Sequence, residues 1–105
     1  MPTVWNVEFP STGPFGADAA DAYADLAADI SGEQGLIWKV WTEAPERELA
    51  GGVYLFSTRE DAERYAAKHT QRLADSGITD VSASFWDVHE ALSHAATPGG
   101  ASPLG

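Results

Sequence analysis

"GLIWKVWTE", residues 35–43, decides the fold. A run this rich in β-branched and aromatic side chains suits a strand, in which successive side chains point to opposite faces. Trp38 and Trp41 are three residues apart, so they stand on opposite faces of one sheet. A small sheet ordinarily hides one face and wets the other. A large aromatic on each face therefore predicts that both faces are covered.

The flanking segments supply the other elements. "TVWNVEF" (3–9) alternates as a strand, with Trp5, Val7 and Phe9 on one face and Val4, Asn6 and Glu8 on the other. "PSTGPFGA" (10–17) is turn chemistry. A first helix is expected from an Asp18 cap to a Gly32 stop, with Ala19, Tyr23, Leu26 and Ile30 along one face. Asp18, Asp21, Asp25 and Asp29 form a carboxylate stripe on another face, which reads as solvated surface. A third strand is expected at 51–57, "GGVYLFS". A second helix runs from a Ser57 or Thr58 cap to about Ser76, and a fourth strand covers 79–88. A short helical piece is expected at 89–96, closing a domain of residues 1–96, and 97–105 is a flexible tail whose removal should cost nothing.

The order βαββαβ is that of a split βαβ, ferredoxin-like α+β sandwich, with both helices on one face of an antiparallel sheet. On the other face the alternation places Val4, Ile37, Trp41, Tyr54 and Phe56. Such a patch exceeds what a monomer leaves in water, which predicts a homodimer joined sheet to sheet.

The 105 residues make one domain, and a 44% hydrophobic content is that of a globular protein. There are no cysteines, so disulfides, Fe–S clusters and thiol catalysis are excluded. A net charge of −10 with only six Lys and Arg argues against nucleic acid and anionic lipid as partners. No apolar run approaches the ~20 residues of a membrane span, and the first residues lack a signal-peptide pattern, so the expected setting is cytoplasmic.

The second helix carries the most informative pattern. Ala62, Tyr65, Ala66, His69 and Leu73 form its sheet-facing stripe. A histidine within an apolar stripe is either a core-edge residue bonded to a carbonyl or part of a pocket. Tyr65 one turn earlier and Trp38 on the facing sheet favour the pocket, since polar tips converging in an apolar wall describe a small-ligand site. Trp5, Phe9, Phe15, Tyr23 and Phe85 are its expected walls, with room left by alanines such as Ala19, Ala27, Ala62, Ala66 and Ala83. His89 and His94 do not share a helical face, and no paired-histidine motif occurs, so no metal is expected. "GPFG" fits neither a P-loop nor GxGxxG.

"GPFG" (13–16), "WKVWTE" (38–43), "GGVYLF" (51–56), "KHT" (68–70) with Arg72 and Leu73 behind it, and "DV" (87–88) together resemble the YdhR-type monooxygenase family. The resemblance runs in order from Phe9 to about Ser93; the alanine-rich first helix and the Gly/Pro tail depart from it. It implies a dimeric α+β barrel similar to the antibiotic-biosynthesis monooxygenases. It also implies oxidation by O2, without a cofactor, of a small aromatic or polyketide-like substrate. In that chemistry the substrate reduces O2 most readily as an enolate or phenolate, so the site needs a base and anion-stabilising donors. His69 is the candidate base, and Trp38 and Tyr65 are the candidate donors. A non-oxidative cyclase or isomerase begins with the same proton abstraction, and a binding protein would use the same pocket, so both readings stay open.

Overall fold

The computed structural model describes residues 1–104. Four strands, β1 (Thr3–Pro10), β2 (Leu36–Ala44), β3 (Leu49–Phe56) and β4 (Ser82–Asp87), form one antiparallel sheet in the order β2-β3-β1-β4. The helices are α1 (Gly16–Ala22), α2 (Ala24–Ser31), α3 (Arg59–Asp75) and α4 (Glu90–Ala95). This is the ferredoxin-like α+β arrangement, with α1, α2 and α3 over one face.

Local chemistry explains most boundaries. Thr58 caps α3 by accepting the Asp61 amide at 3.1 Å, and Gly77, with φ of 81°, lies just past its end. The expected first helix is two. It opens at Gly16, whose amide donates to the Glu43 carboxylate at 3.1 Å, and it breaks at Tyr23, the residue that stacks on Trp41 with ring centroids 6.0 Å apart. β4 begins later than expected because Asp80 adopts a left-handed φ of 56° and Pro10, at the end of β1, has no N–H to offer. Gly51 lies where β1 and β3 approach most closely: a Cβ there would sit 2.0 Å from the Val7 carbonyl oxygen.

The core is aromatic. Trp5, Tyr54, Phe56 and Tyr65 are fully buried between sheet and α3, together with Val7, Ile30, Ala62 and Leu73. Here the structure corrects the expected faces. Tyr54 and Phe56 point toward the helices, not away from them, and Trp41 is on that side as well. The other face carries Val4, Trp38, Val40, Val53, Leu55 and Trp86. A register shift between Leu36 and Trp38 takes up Ile37 as an extra residue, so Trp38 pairs with Leu55 and Lys39 with Tyr54.

Pro98–Gly100 forms a short 3-10 turn, and the Pro103 carbonyl accepts the Trp38 indole N–H at 2.8 Å. The C-terminal segment thus lies against the face opposite the helices, where Leu55 is fully buried. Deleting residues 98–105 uncovers Trp38, and we expect a melting temperature lower by a few degrees, checked by calorimetry, where the composition alone predicts no change.

Candidate functional site

Only Ile30 in α1 and α2 is fully buried, so this helical layer stands off the sheet. Beneath it is a cavity of about 1020 Å³. Small side chains leave the room: Ala19, Ala20 and Ala27 line it from above and Gly51 from the sheet. Its walls are Phe9 from β1, Phe15 from the turn, Tyr23 from the α1–α2 break, and Trp41 and Tyr54 from the sheet. Its polar groups include Lys39 on β2 and His69 and Arg72 on α3.

His69 is 4% exposed and its ring stacks on Tyr65, with centroids 5.3 Å apart. Trp5 packs edge-on against the same ring. The His69 Nδ1 is buried and has no hydrogen-bond partner. A buried histidine ordinarily satisfies both nitrogens, so an unpartnered one in a residue that lines a cavity marks the site as a candidate for function. Burial, and then the positive charges of Lys39 and Arg72, lower its pKa from 6.5 to about 4, so the ring is neutral at physiological pH.

Lys39 lies across the sheet with Nζ 3.4 Å from the Trp41 ring centroid and 4.5 Å from that of Tyr54. Gly52 permits this: a Cβ there would come within 3.0 Å of Lys39 Cε. Burial, with Arg72 adding to it, lowers the Lys39 pKa from 10.5 to about 7. Arg72 reaches Asp29 with Nη1 at 3.5 Å, while its Nη2 is buried without a partner. The Tyr65 and Tyr54 hydroxyls share a hydrogen bond at 3.3 Å, and Tyr54 lines the cavity. Desolvation raises the pKa of both phenols, so both stay protonated.

The expected site residues therefore separate into three groups. His69, Phe9, Phe15 and Tyr23 line the cavity. Tyr65 is fully buried behind Tyr54 and reaches the cavity only through that hydroxyl. Trp5 and Phe85 line a shallower groove on the far flank of α3, with Ala66, Thr70 and Ala83. Trp38 is on the opposite face of the sheet, its N–H taken by Pro103, and it cannot serve as a donor in this cavity. Lys39, Trp41, Tyr54 and Arg72 were not expected there. For Lys39 and Trp41 the one available signal was the parity of β2, which a correct face assignment would have converted into cavity walls.

Among the described residues no three His, Cys, Asp or Glu side chains converge as metal ligands. Nor is any helix among them long and apolar enough to cross a membrane. Comparison with curated proteins finds none that matches. The family comparison agrees with the fold and with the motifs that bring β2, β3 and α3 around this cavity. Its model matches residues 4–98, nearly the whole chain, and the chain belongs to the family described as "Putative mono-oxygenase ydhR".

Proposed function

We propose that the protein is a monooxygenase that oxidises a small aromatic or polyketide-like molecule with O2, without a metal or flavin, after deprotonating it in the cavity beneath α1 and α2. The observation that carries this reading is His69: a neutral, buried imidazole with Nδ1 unpartnered, set among aromatic rings and lining the cavity. A neutral imidazole can take up a proton, and Lys39 and Arg72, which line the same cavity, would stabilise the resulting substrate anion. For an activated ring methylene the atoms balance simply. One proton goes to His69, and the carbanion reduces O2 and forms a C–O bond. Cleavage of the O–O bond then releases water and leaves a carbonyl. One oxygen atom stays in the product, and the other leaves with both substrate hydrogens.

The test is a panel of anthrones, quinols and flavonoid-type phenols, followed with an oxygen electrode and mass spectrometry. O2 consumed in step with a product one oxygen richer is the expected result. Product without O2 consumption would replace this reading with a cyclase or isomerase, and binding without product would replace it with a carrier.

The proposed working unit is a homodimer, joined through the sheet face opposite the helices. Support comes from Val40 and Trp86, which are 53% and 61% exposed on that face. They stand on the two edge strands of the sheet, and large apolar side chains left in water at both edges of one face favour association. Light scattering at micromolar concentration is expected to give twice the 11.2 kDa chain mass, and Trp86→Glu is expected to shift the population toward monomer. A monomeric mass for the parent protein would reject the dimer.

A further inference from the structure

Lys39 and Arg72 are two of only six cationic side chains in a chain of net charge −10, and both line the cavity. Arg59, Arg64 and Lys68 are paired with carboxylates on the surface. Lys39 has no carboxylate partner among the described residues; its neighbours are the faces of two aromatic rings. Arg72 spends one nitrogen on Asp29 and keeps Nη2 buried and unpartnered. His69, one turn before Arg72 on the same helix face, keeps Nδ1 unpartnered as well.

The carboxylates of the cavity stand elsewhere. Glu43 is held by the Gly16 amide, and Glu48 is beside the turn, its carbonyl accepting the Ser11 amide. Four residues along a strand separate Glu43 from Lys39, roughly 13 Å at the usual strand rise. The cavity lining is therefore polarised, with Glu43 and Glu48 near the 10–16 turn and, at its other end, Lys39 and Arg72, the latter meeting Asp29 through Nη1 alone. Buried donors without partners cost free energy unless a bound group satisfies them, and a cation among them asks for an anion.

We propose that this inner end is an anion subsite, in which Lys39 Nζ and the Arg72 guanidinium hold the acid group of an aromatic ligand. The pocket then selects carboxylated or comparably acidic aromatic molecules over neutral ones of the same shape. The inference rests on reading the cavity as the substrate site. The acid group is anchored by the two cations at the end of the cavity that His69 also lines.

The test reads binding alone, so it stands apart from turnover. Affinities of 2-naphthoate and 2-naphthalenemethanol, which match in shape and differ in charge, are measured at pH 6.5 by calorimetry. The parent protein, Lys39→Met, Lys39→Arg and Arg72→Gln are compared, each checked for fold by circular dichroism. The expected result is at least a tenfold preference of the parent protein for the naphthoate. That preference should fall toward parity in Lys39→Met and weaken in Arg72→Gln, and Lys39→Arg should keep it. If Lys39→Met does not fold, the Arg72→Gln comparison decides. Equal affinity for the two probes in the parent protein, no measurable binding of either, or a preference that survives in every folded variant lacking one of the cations would overturn the proposal. A protein that prefers the naphthoate but consumes no O2 with any substrate keeps the subsite and loses the oxygenase reading. O2-dependent turnover with no preference for acids does the reverse.

Discussion

His69→Gln is expected to lower turnover by ~100-fold or more, with the fold and substrate binding retained. Glutamine is similar in size and keeps a donor and an acceptor, so the aromatic packing around position 69 survives. What it cannot do is accept a proton. The pH profile sharpens the test. A His69 pKa of about 4 leaves the base form available through neutral pH, so the acid limb of turnover should fall near pH 4, below the ordinary histidine range. The variant should lack that limb. If His69 only fills the core, turnover per folded molecule will be unchanged and only stability will suffer.

The same group makes the fold acid-labile. Between about pH 4 and 6.5 the unfolded chain binds a proton at this histidine and the native chain does not, so stability falls as the pH is lowered through that window. The loss amounts to about 2–3 kcal/mol. Urea titrations at pH 7 and pH 4 should therefore separate the parent protein from His69→Gln, which lacks this contribution. The carboxylates titrate alike in both proteins and cancel in the comparison.

The second large effect is a gain. Lys39→Met is expected to raise the melting temperature at pH 7 by roughly 5–10 °C, from a stabilisation of about 1–3 kcal/mol. The sign follows from the depressed pKa. Between about pH 7 and 10.5 the unfolded chain holds a proton at Lys39 that the native chain gives up, so the stability of the parent protein rises with pH across that window. Below pH 7 the native chain bears the full cost of a desolvated ammonium. Attraction to the Trp41 and Tyr54 rings offsets part of it, as does partial access to water, which is why the estimate stays well under the full pKa difference. Methionine has similar length and no charge, so it should fill the space without the penalty. A melting temperature that falls instead would mean that the ring contacts outweigh desolvation and that Lys39 is there for packing. A residue kept at a cost to stability, in a cavity that His69 and Arg72 also line, fits the proposed anion subsite.

The elements of this fold were written locally. Thr58 with Asp61 three residues on, the stripe Ala62–Tyr65–Ala66–His69–Leu73, and Gly77 behind it define α3 by chemistry within one helix, and the structure buries that stripe as a unit. Alternation in 3–9 and 35–43, the prolines and glycines of 10–16 and the order of the segments were enough for the ferredoxin-like class. That Trp38 and Trp41 part to opposite faces also followed from pleat alone. Which face belongs to which did not. "GGVYLF" is apolar on both sides, so nothing in β3 marks the helix-facing residues, and the register shift at Ile37 breaks the alternation at the start of β2. Only the packing of α3, through Tyr65, on Tyr54 selects the face. That choice turns Lys39 from an apparently solvent-facing lysine into a cavity cation, and it removes Trp38 from the site to the far side of the sheet. His69 was legible because a helix exposes its own periodicity. Its partners were not, because they come from a second strand and from the other end of the same helix turn, and their meeting depends on distances that no local pattern contains.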